Sequence, residues 1–444
     1  GGIDAADGSI RVEVTGEGSD LTLNDSLTAT EGITLVAASD IFQKDNITSA
    51  TGDIALTATA GSIEMADGVV TTAVDGSGTG HIDYTAADDI ILSILEADGT
   101  VTLTATAGAI LDGLTAETAN VLGTTTKLVL RAGAGVGSGS GDEEIDTTVA
   151  EVTAEVTTSG GVFIEESDAL TVSSDGITVA GTDGEVILET VDGALVVNGA
   201  IETTGASGNV LLIAQESAEG TDARLELNQA VVASGDISLD SADGISQAAE
   251  GDLTATSAGA TIELLAVEAI TQADGTEVRS TDGDIRLSST STGEIAIGLL
   301  EAGEGNVAIL NADGSLVDSD AGTGMDILAA GLLVDVRGDV GSGTDPLESA
   351  VDTLAVYSRL GADGIFITES NALRVDSVEV TIERVGVDGL SAAIATDQLE
   401  DLRADTGGIV LQVLDGGLDV NDGNLAPDET GIAAEKNILL STAE

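Results

Sequence analysis

Apolar and polar residues alternate in short runs along this chain of 444 residues. The core of each run is Gly-x-Φ-x-Φ, in which Φ is Ile, Val or Leu, as in GDIAL at Gly52, GTVTL at Gly99 and GDISL at Gly235. Apolar residues at positions i and i+2 predict a strand that buries one face. The runs end at Asp-Gly, Ser-Gly, Asn-Gly or Gly-Gly, which are turn sequences. Since no run keeps the 3.6-residue period of a long helix, the pattern predicts an all-β fold.

A second, longer repeat relates the two halves of the chain. The segment GVFIEESDALTV at residues 161–172 returns as GIFITESNALRV at residues 364–375, with eight of twelve residues identical. VGSG likewise occurs at Val136 and again at Val340. We therefore expect two copies of one long unit, at residues 1–207 and 208–435, with residues 436–444 as the start of a third copy. Each copy has one Phe in this segment, which we expect to fill a wide place in the core.

The spacing between the two copies changes once. Leu170 aligns with Leu373 at an offset of 203 residues, whereas Gly184 aligns with Gly408 at an offset of 224. The second copy has therefore gained 21 residues, which include the strand-like run SVEVTIERV. A string of β-sandwich domains would hold such a gain as a loop, but a solenoid of about 20–25 residues per coil can add one coil and continue. We interpret the gain as an extra coil near residues 376–405.

These observations together favour a parallel β-helix, or β-solenoid. At about 22 residues per coil, the chain would form about 20 stacked coils. Aromatic residues are only 1% of the sequence and Pro occurs twice, so the core must consist of small aliphatic side chains. Such a thin core suits coils in which like residues stack on like.

The net charge of −66 changes the expected partners rather than the fold. Disordered chains combine high charge with low hydropathy, but here the mean hydropathy is +0.27. A surface with 79 acidic and 13 basic residues repels nucleic acid and anionic membranes and attracts cations. No apolar stretch is long enough for a membrane-spanning helix. We expect no nucleic-acid partner and no membrane insertion, and consider cations or glycans as ligands.

Little in the sequence suggests catalysis. A single His and the absence of Cys exclude His-based triads, multi-His metal sites and thiolate chemistry. We predict no catalytic residue and no cofactor-binding residue, and therefore no enzyme. Calcium is the one ion considered, because Asp-Gly pairs recur, although Asp and Gly also serve as ordinary turn residues. NADGSLVDSD at residues 311–320 comes closest to a calcium loop, with Asp313, Asp318 and Asp320 as candidate ligands.

Runs such as GDIALTATAGSIEMADG and GTVTLTATAGAILDG resemble the repeats of filamentous-haemagglutinin-type exoproteins, which are giant bacterial surface adhesins. The resemblance implies a right-handed parallel β-helix, export to the cell surface and a role as a stalk or fibre. No functional residue is carried over from that family.

The function that we expect is a structural rod in an extracellular filament or cell-surface fibre. Solenoid ends expose unpaired β edges, which predicts end-to-end self-association. One alternative is an adhesin stalk that binds glycans or a host surface through loops such as residues 133–146. A polysaccharide-cleaving β-helix enzyme is the other alternative.

Overall fold

The computed structural model describes residues 2–116, 118–139, 143–182, 184–217, 220–320, 322–423 and 430–442. Within these ranges every regular element is a β-strand and there is no helix. Parallel strands stack into a β-solenoid of about 15 turns, which confirms the predicted fold class. The chain divides into two units: unit 1 is Gly1–Gly208, Glu216–Thr221 and Val387–Gly389, and unit 2 is Asn209–Gln215, Asp222–Gly386 and Leu390–Glu444.

The described part of unit 1 contains 22 strands, which are mostly short. They are β1 (Ile3–Ala5), β2 (Ile10–Val14), β3 (Leu21–Leu23), β4 (Leu27–Ala29), β5 (Ile33–Ala37), β6 (Ile41–Gln43), β7 (Ile47–Ser49), β8 (Ile54–Ala58), β9 (Ile63–Met65), β10 (Val70–Ala73), β11 (Ile82–Ala86), β12 (Ile90–Leu92), β13 (Ile94–Ala97), β14 (Thr100–Ala105), β15 (Ile110–Asp112), β16 (Val121–Ala132), β17 (Ile145–Val156), β18 (Val162–Glu166), β19 (Leu170–Val179), β20 (Val186–Thr190), β21 (Leu195–Val197) and β22 (Ile201–Thr203).

Strands of unit 1 pair with the strand one turn away, so that three ladders run side by side. One ladder is β2, β5, β8, β11 and β14, another is β1, β4, β7, β10 and β13, and the third is β3, β6, β9, β12 and β15. The long strand β16 joins two of them, because its start pairs with β13 and its end with β14. The backbone of each of these turns is therefore hydrogen-bonded to the backbone of the next turn.

Alternation along each strand places aliphatic side chains inside. In β5, Ile33, Leu35 and Ala37 are buried, while the residues between them are partly exposed. Ile33 pairs with Ile54 of β8, which in turn pairs with Ile82 of β11. Like residues thus stack on like from turn to turn, as the sequence predicted.

The other 27 strands that the structure describes belong to unit 2. They are β23 (Val210–Ala214), β24 (Leu225–Leu227), β25 (Val231–Ala233), β26 (Ile237–Ser241), β27 (Ile245–Gln247), β28 (Leu253–Ala255), β29 (Ile262–Ala266), β30 (Ile270–Gln272), β31 (Glu277–Ser280), β32 (Ile285–Ser289), β33 (Ile295–Ile297), β34 (Leu299–Glu301), β35 (Asn306–Asn311), β36 (Leu316–Asp318), β37 (Ile327–Val336), β38 (Leu347–Ser358), β39 (Gly364–Glu369), β40 (Leu373–Val375), β41 (Val378–Val380), β42 (Glu383–Val385), β43 (Ser391–Ala393), β44 (Asp397–Leu399), β45 (Leu402–Ala404), β46 (Gly408–Val413), β47 (Leu418–Val420), β48 (Ile432–Ala434) and β49 (Ile438–Thr442).

Unit 2 repeats the three-ladder arrangement. The ladder of β26, β29, β32 and β35 stacks Ile237, Ile262, Ile285 and Val307 in one column. The long strand β37 again joins two ladders, because Ile327 pairs with Leu300 of β34 and Leu332 with Val307 of β35. The next long strand, β38, pairs along β37.

The 21 extra residues of the second copy are not an extra coil, and that prediction is wrong. Strand β41 pairs antiparallel with β44, and β42 pairs antiparallel with β43. The parallel ladder passes over this excursion, because Val356 of β38 pairs directly with Leu402 of β45. We call residues 378–399 the hairpin arm.

Residues 378–382 of the hairpin arm pack on the outer face of unit 2. Val378, Val380 and Ile382 form a buried cluster with Leu333 and Ala355 of the long strands. An apolar outer face needs such a cover, because it would otherwise be exposed to water. The arm therefore uses its alternating apolar residues to cover the solenoid rather than to extend it.

The number of turns is about 15 rather than the predicted 20. In unit 1, the sequence separation of paired residues in successive turns ranges from 19 to 28 residues. It is 19 for Ile82 and Val101 and 28 for Ile54 and Ile82. Several turns are therefore longer than the 22 residues assumed, and the hairpin arm adds residues without adding a turn.

The recurring Phe does not fill the interior of the solenoid, which differs from the prediction made from the sequence. In β18 the core-facing residues are Val162 and Ile164, and Phe163 lies between them on the outer side, where it is 7% exposed. An added Cβ at Gly139 would lie 2.6 Å from Cε1 of Phe163, so the ring rests against the end of the VGSG segment. The two motifs recur together because they pack together.

Candidate metal centre

Three aspartates meet where one turn of unit 2 leads into the next. Asp318 ends β36, Asp320 follows it, and Asp326 directly precedes β37. One carboxylate oxygen from each of the three lies within 4.8 Å of the others. The amide of Asp320 donates to Oδ1 of Asp318 at 2.9 Å, which holds this bend in place. The side chains that converge here are all acidic.

A fourth carboxylate, that of Glu348 in β38, comes from the neighbouring turn. The backbone amide of Glu348 donates to Oδ2 of Asp326 at 2.7 Å, and the amide of Asp326 donates to the Glu348 carbonyl at 3.0 Å. Both residues are nearly inaccessible to solvent, with 2% of Asp326 and 7% of Glu348 exposed. Parallel pairing thus places acidic groups from two turns side by side. We call Asp318, Asp320, Asp326 and Glu348 the acidic cluster.

Burial and mutual repulsion disfavour the ionised forms in the acidic cluster. Burial raises the pKa of Asp326 to about 8, and the charges of Asp318, Glu348 and Asp320 act in the same direction. Burial also raises the pKa of Glu348 to about 7, with further contributions from Asp318, Asp345 and Asp320. Among the described residues, no Lys or Arg forms an ion pair with any of the four.

Two oxygens of the acidic cluster are buried without a hydrogen-bond partner, namely Oδ2 of Asp318 and Oε2 of Glu348. An unsatisfied buried acceptor costs about 1–3 kcal/mol, and more when it is charged. A cavity of about 150 Å³ adjoins the three aspartates and extends along Thr276 and Gly298 of the preceding turns. This volume can hold an ion with bound water.

The first copy has a different set of side chains at the equivalent position. Asp112 ends β15 as Asp318 ends β36, and Asn120 precedes β16 as Asp326 precedes β37. The amide nitrogen of Asn120 donates to Oδ1 of Asp112 at 2.5 Å. The amide of Asp146 donates to Oδ1 of Asn120 at 3.0 Å, as the Glu348 amide does to Asp326. In copy 1 a neutral amide therefore donates to the aspartate that ends the strand. In copy 2 the equivalent aspartate, Asp318, instead faces a second carboxylate, that of Asp326.

The structure brings together two of the three candidate ligands. Asp318 and Asp320 belong to the acidic cluster. Asp313 does not, because its Oδ1 pairs with Nη1 of Arg337 at 2.6 Å. The sequence reasoning missed Asp326 and Glu348. Alignment of the two copies at this point, which sets Asp326 against Asn120, would have drawn attention to Asp326.

The chemistry of the acidic cluster is that of a hard cation site. Carboxylate oxygens are the preferred ligands of Ca²⁺ and Mg²⁺. The loop proposed for glycan contact, residues 133–146, belongs to unit 1, and its residues 140–142 lie outside the described residues.

None of the elements in the described part of the chain is a helix with the length and apolar character needed to cross a membrane. Comparison with known proteins gives no match for this chain, whether to a family model, to a curated protein or to a solved structure.

Proposed function

We propose that this chain is a structural segment of an extracellular fibre. The observation that carries the proposal is the unbroken parallel pairing inside each unit, in which every turn is hydrogen-bonded to its neighbour. Backbone hydrogen bonds that run along a stack resist extension together, which suits a load-bearing element. The strong negative charge keeps long assemblies apart from one another and soluble.

Strand β49 suggests how such a fibre grows. On one side β49 pairs with β46, where Ile438 and Leu440 continue the core columns of Ile409 and Leu411. These two core-facing residues are 44% and 40% exposed in the described structure. An open edge with exposed apolar residues is a site for adding another strand. In the proposed fibre a further turn covers this edge and continues the columns of Ile438 and Leu440.

The test is assembly in solution. We expect the 444-residue chain to form end-to-end oligomers whose length rises with concentration and with salt, because salt screens repulsion between the acidic copies. Light scattering after size-exclusion chromatography and negative-stain electron microscopy would measure this. The double variant Ile438→Lys/Leu440→Lys should stay monomeric. Leu360→Lys/Val267→Lys, which charges exposed apolar residues elsewhere, is the control and should assemble.

Monomers of the unaltered chain at every concentration and salt level would overturn the proposed fibre. So would equal assembly of the two double variants, because assembly would then not use the edge of β49.

A further inference from the structure

We propose that Asp318, Asp320, Asp326 and Glu348 bind one Ca²⁺ ion that joins two neighbouring turns of unit 2. This site goes beyond the proposed fibre function, and its occupancy does not require assembly. Three of the four side chains already bring oxygens within 4.8 Å of one another. Two oxygens on opposite sides of a Ca²⁺ ion are separated by about the same distance, since each bond is about 2.4 Å long.

Glu348 is the observation that separates this cluster from an ordinary acidic surface. Its side chain is only 7% exposed, yet its Oε2 has no hydrogen-bond partner. It sits beside Asp326 through the backbone hydrogen bonds described above, and the charges of Asp318 and Asp320 act on it. A buried carboxylate without a partner destabilises the folded state unless a cation or a proton compensates its charge. The arrangement is therefore suited to an ion.

The first copy of the repeat provides a natural comparison. There Asn120 donates to Asp112, so that the partly exposed carboxylate equivalent to that of Asp318 already has a side-chain donor. Leu114 stands where the second copy has Asp320, and its amide donates to Asp112 as the Asp320 amide does to Asp318. The backbone arrangement is thus the same in both copies, while the two side chains that would add negative charge are present only in the second.

Ca²⁺ fits this site better than Mg²⁺ does. Ca²⁺ accepts six to eight oxygens in flexible geometry, whereas Mg²⁺ demands a tight octahedron and gives up its water reluctantly. The carboxylates come from a bend and from a strand of the next turn, rather than from one compact loop. Such a ligand set suits the flexible geometry that Ca²⁺ accepts. The adjoining cavity leaves room for water to complete the coordination.

The test measures binding of Ca²⁺ alone, and separately of Mg²⁺ alone, by isothermal titration calorimetry on the full chain after dialysis against a chelator. Moderate salt screens weak association with the many surface carboxylates. We expect one Ca²⁺ site per chain above that weak background, with at least tenfold weaker binding of Mg²⁺. Asp326→Asn should abolish this site and leave the circular dichroism spectrum unchanged, because its amide can donate to Asp318 as Asn120 does to Asp112.

Asp313→Asn is the matched control, since Asp313 lies in the same segment but pairs with Arg337. It should bind Ca²⁺ as the unaltered chain does. The site would be refuted if the unaltered chain showed only weak, unsaturated binding, which would mean that protons alone compensate the cluster. It would equally be refuted if Asp326→Asn bound Ca²⁺ normally, or if Asp313→Asn lost as much binding as Asp326→Asn. None of these results depends on whether the chain assembles into a fibre.

Discussion

Glu166 accepts a hydrogen bond from the backbone amide of Val149, with 2.8 Å between the amide nitrogen and Oε2. The same oxygen accepts from the hydroxyl of Thr147 at 2.8 Å, and the side chain is fully buried. Both donors belong to the long strand β17 of the neighbouring turn. Oε2 of Glu166 therefore satisfies a backbone amide inside the solenoid.

Glu369 has the equivalent role in unit 2. It accepts from the amide of Val351 at 3.2 Å and from the hydroxyl of Ser349 at 2.7 Å. Burial raises the pKa of Glu369 and also raises that of Glu166, to about 7. A buried glutamate thus recurs once per long repeat, in the same segment as the recurring Phe.

The pKa of Glu166 predicts how stability changes with pH. The folded chain keeps a proton on Glu166 up to about pH 7, whereas the unfolded chain releases it near its ordinary pKa of 4.5. The free energy of unfolding therefore falls as the pH rises between these values, by up to about 1.4 kcal/mol per pH unit. This contribution is absent from Glu166→Gln. Between pH 4.5 and about pH 7, we therefore expect the free energy of unfolding of Glu166→Gln to fall by about 2–3 kcal/mol less than that of the unaltered chain.

Urea denaturation at several pH values between these limits would measure the difference. The exposed Glu151 of the same unit provides the control, because Glu151→Gln should follow the unaltered chain. Parallel curves for Glu166→Gln and the unaltered chain would contradict the prediction.

Arg384 ties the hairpin arm to the solenoid. Its Nε and Nη2 donate to the two oxygens of Glu263 at 2.6 and 2.7 Å, and the Glu263 residue is 1% exposed. Arg384→Ala would leave a buried carboxylate with Arg286 alone, so we expect a loss of about 1–3 kcal/mol, moderated because Arg384 is partly exposed. Proteolysis of the arm should also become faster. Arg337→Ala, which removes a surface pair with Asp313, should cost less than about 1 kcal/mol.

Tyr84 closes a ring of hydrogen bonds in the core of unit 1, in which Nε2 of Gln43 donates to Oγ1 of Thr71 at 2.9 Å. Its hydroxyl lies 2.7 Å from Oγ1 of Thr71 and donates to Oε1 of Gln43 at 3.0 Å. Tyr84→Phe would leave polar atoms of Gln43 and Thr71 without this partner inside the protein, so we expect a loss of about 1–3 kcal/mol by thermal or chemical denaturation. Tyr357, the other tyrosine, is the control: its hydroxyl bonds to Asp405 at the surface, and Tyr357→Phe should change stability by less than about 1 kcal/mol. Equal losses would show that the buried network contributes nothing specific.

The two VGSG segments differ in how closely a glycine meets the Phe ring. A Cβ at Gly139 would lie 2.6 Å from Cε1 of Phe163, whereas a Cβ at Gly343 would lie 3.4 Å from Cε1 of Phe366. A Cβ at Gly139 would also lie 2.9 Å from backbone atoms of Asp388, so Gly139→Ala forces a shift of the ring and of that backbone, and we expect a loss of about 1–3 kcal/mol. Gly343→Ala should be nearly neutral. If both substitutions proved neutral in urea denaturation, the contact with Phe163 would not restrict this position.

Much of the fold could be predicted because strand alternation has a local cause. The repeated pattern of GDIAL and GTVTL sets which side chains face inward, and parallel stacking then follows from the need of each turn to cover its neighbour. The same alternation could not distinguish the hairpin arm from a coil. In SVEVTIERV the apolar residues face the outer surface of the solenoid, and a sequence shows the period of a strand but not the face on which it packs.

The acidic cluster was only half predictable for a related reason. Asp318 and Asp320 stand close together in the sequence, so their spacing was visible. Glu348 reaches the cluster only because β38 pairs along β37, and Asp326 differs from its counterpart Asn120 by a single amide group. Contacts between turns depend on the register of the ladder, which the sequence alone did not define to the residue.

Val356 and Leu402 are direct partners although 45 residues separate them along the chain. Ile365 and Ile409 are likewise paired across the same excursion. The solenoid therefore constrains where successive strands meet but not how much polypeptide lies between them. A fold of this kind can acquire or exchange whole appendages at one corner, as long as their inner surface matches the turns beneath, and its framework need not be rebuilt when it does.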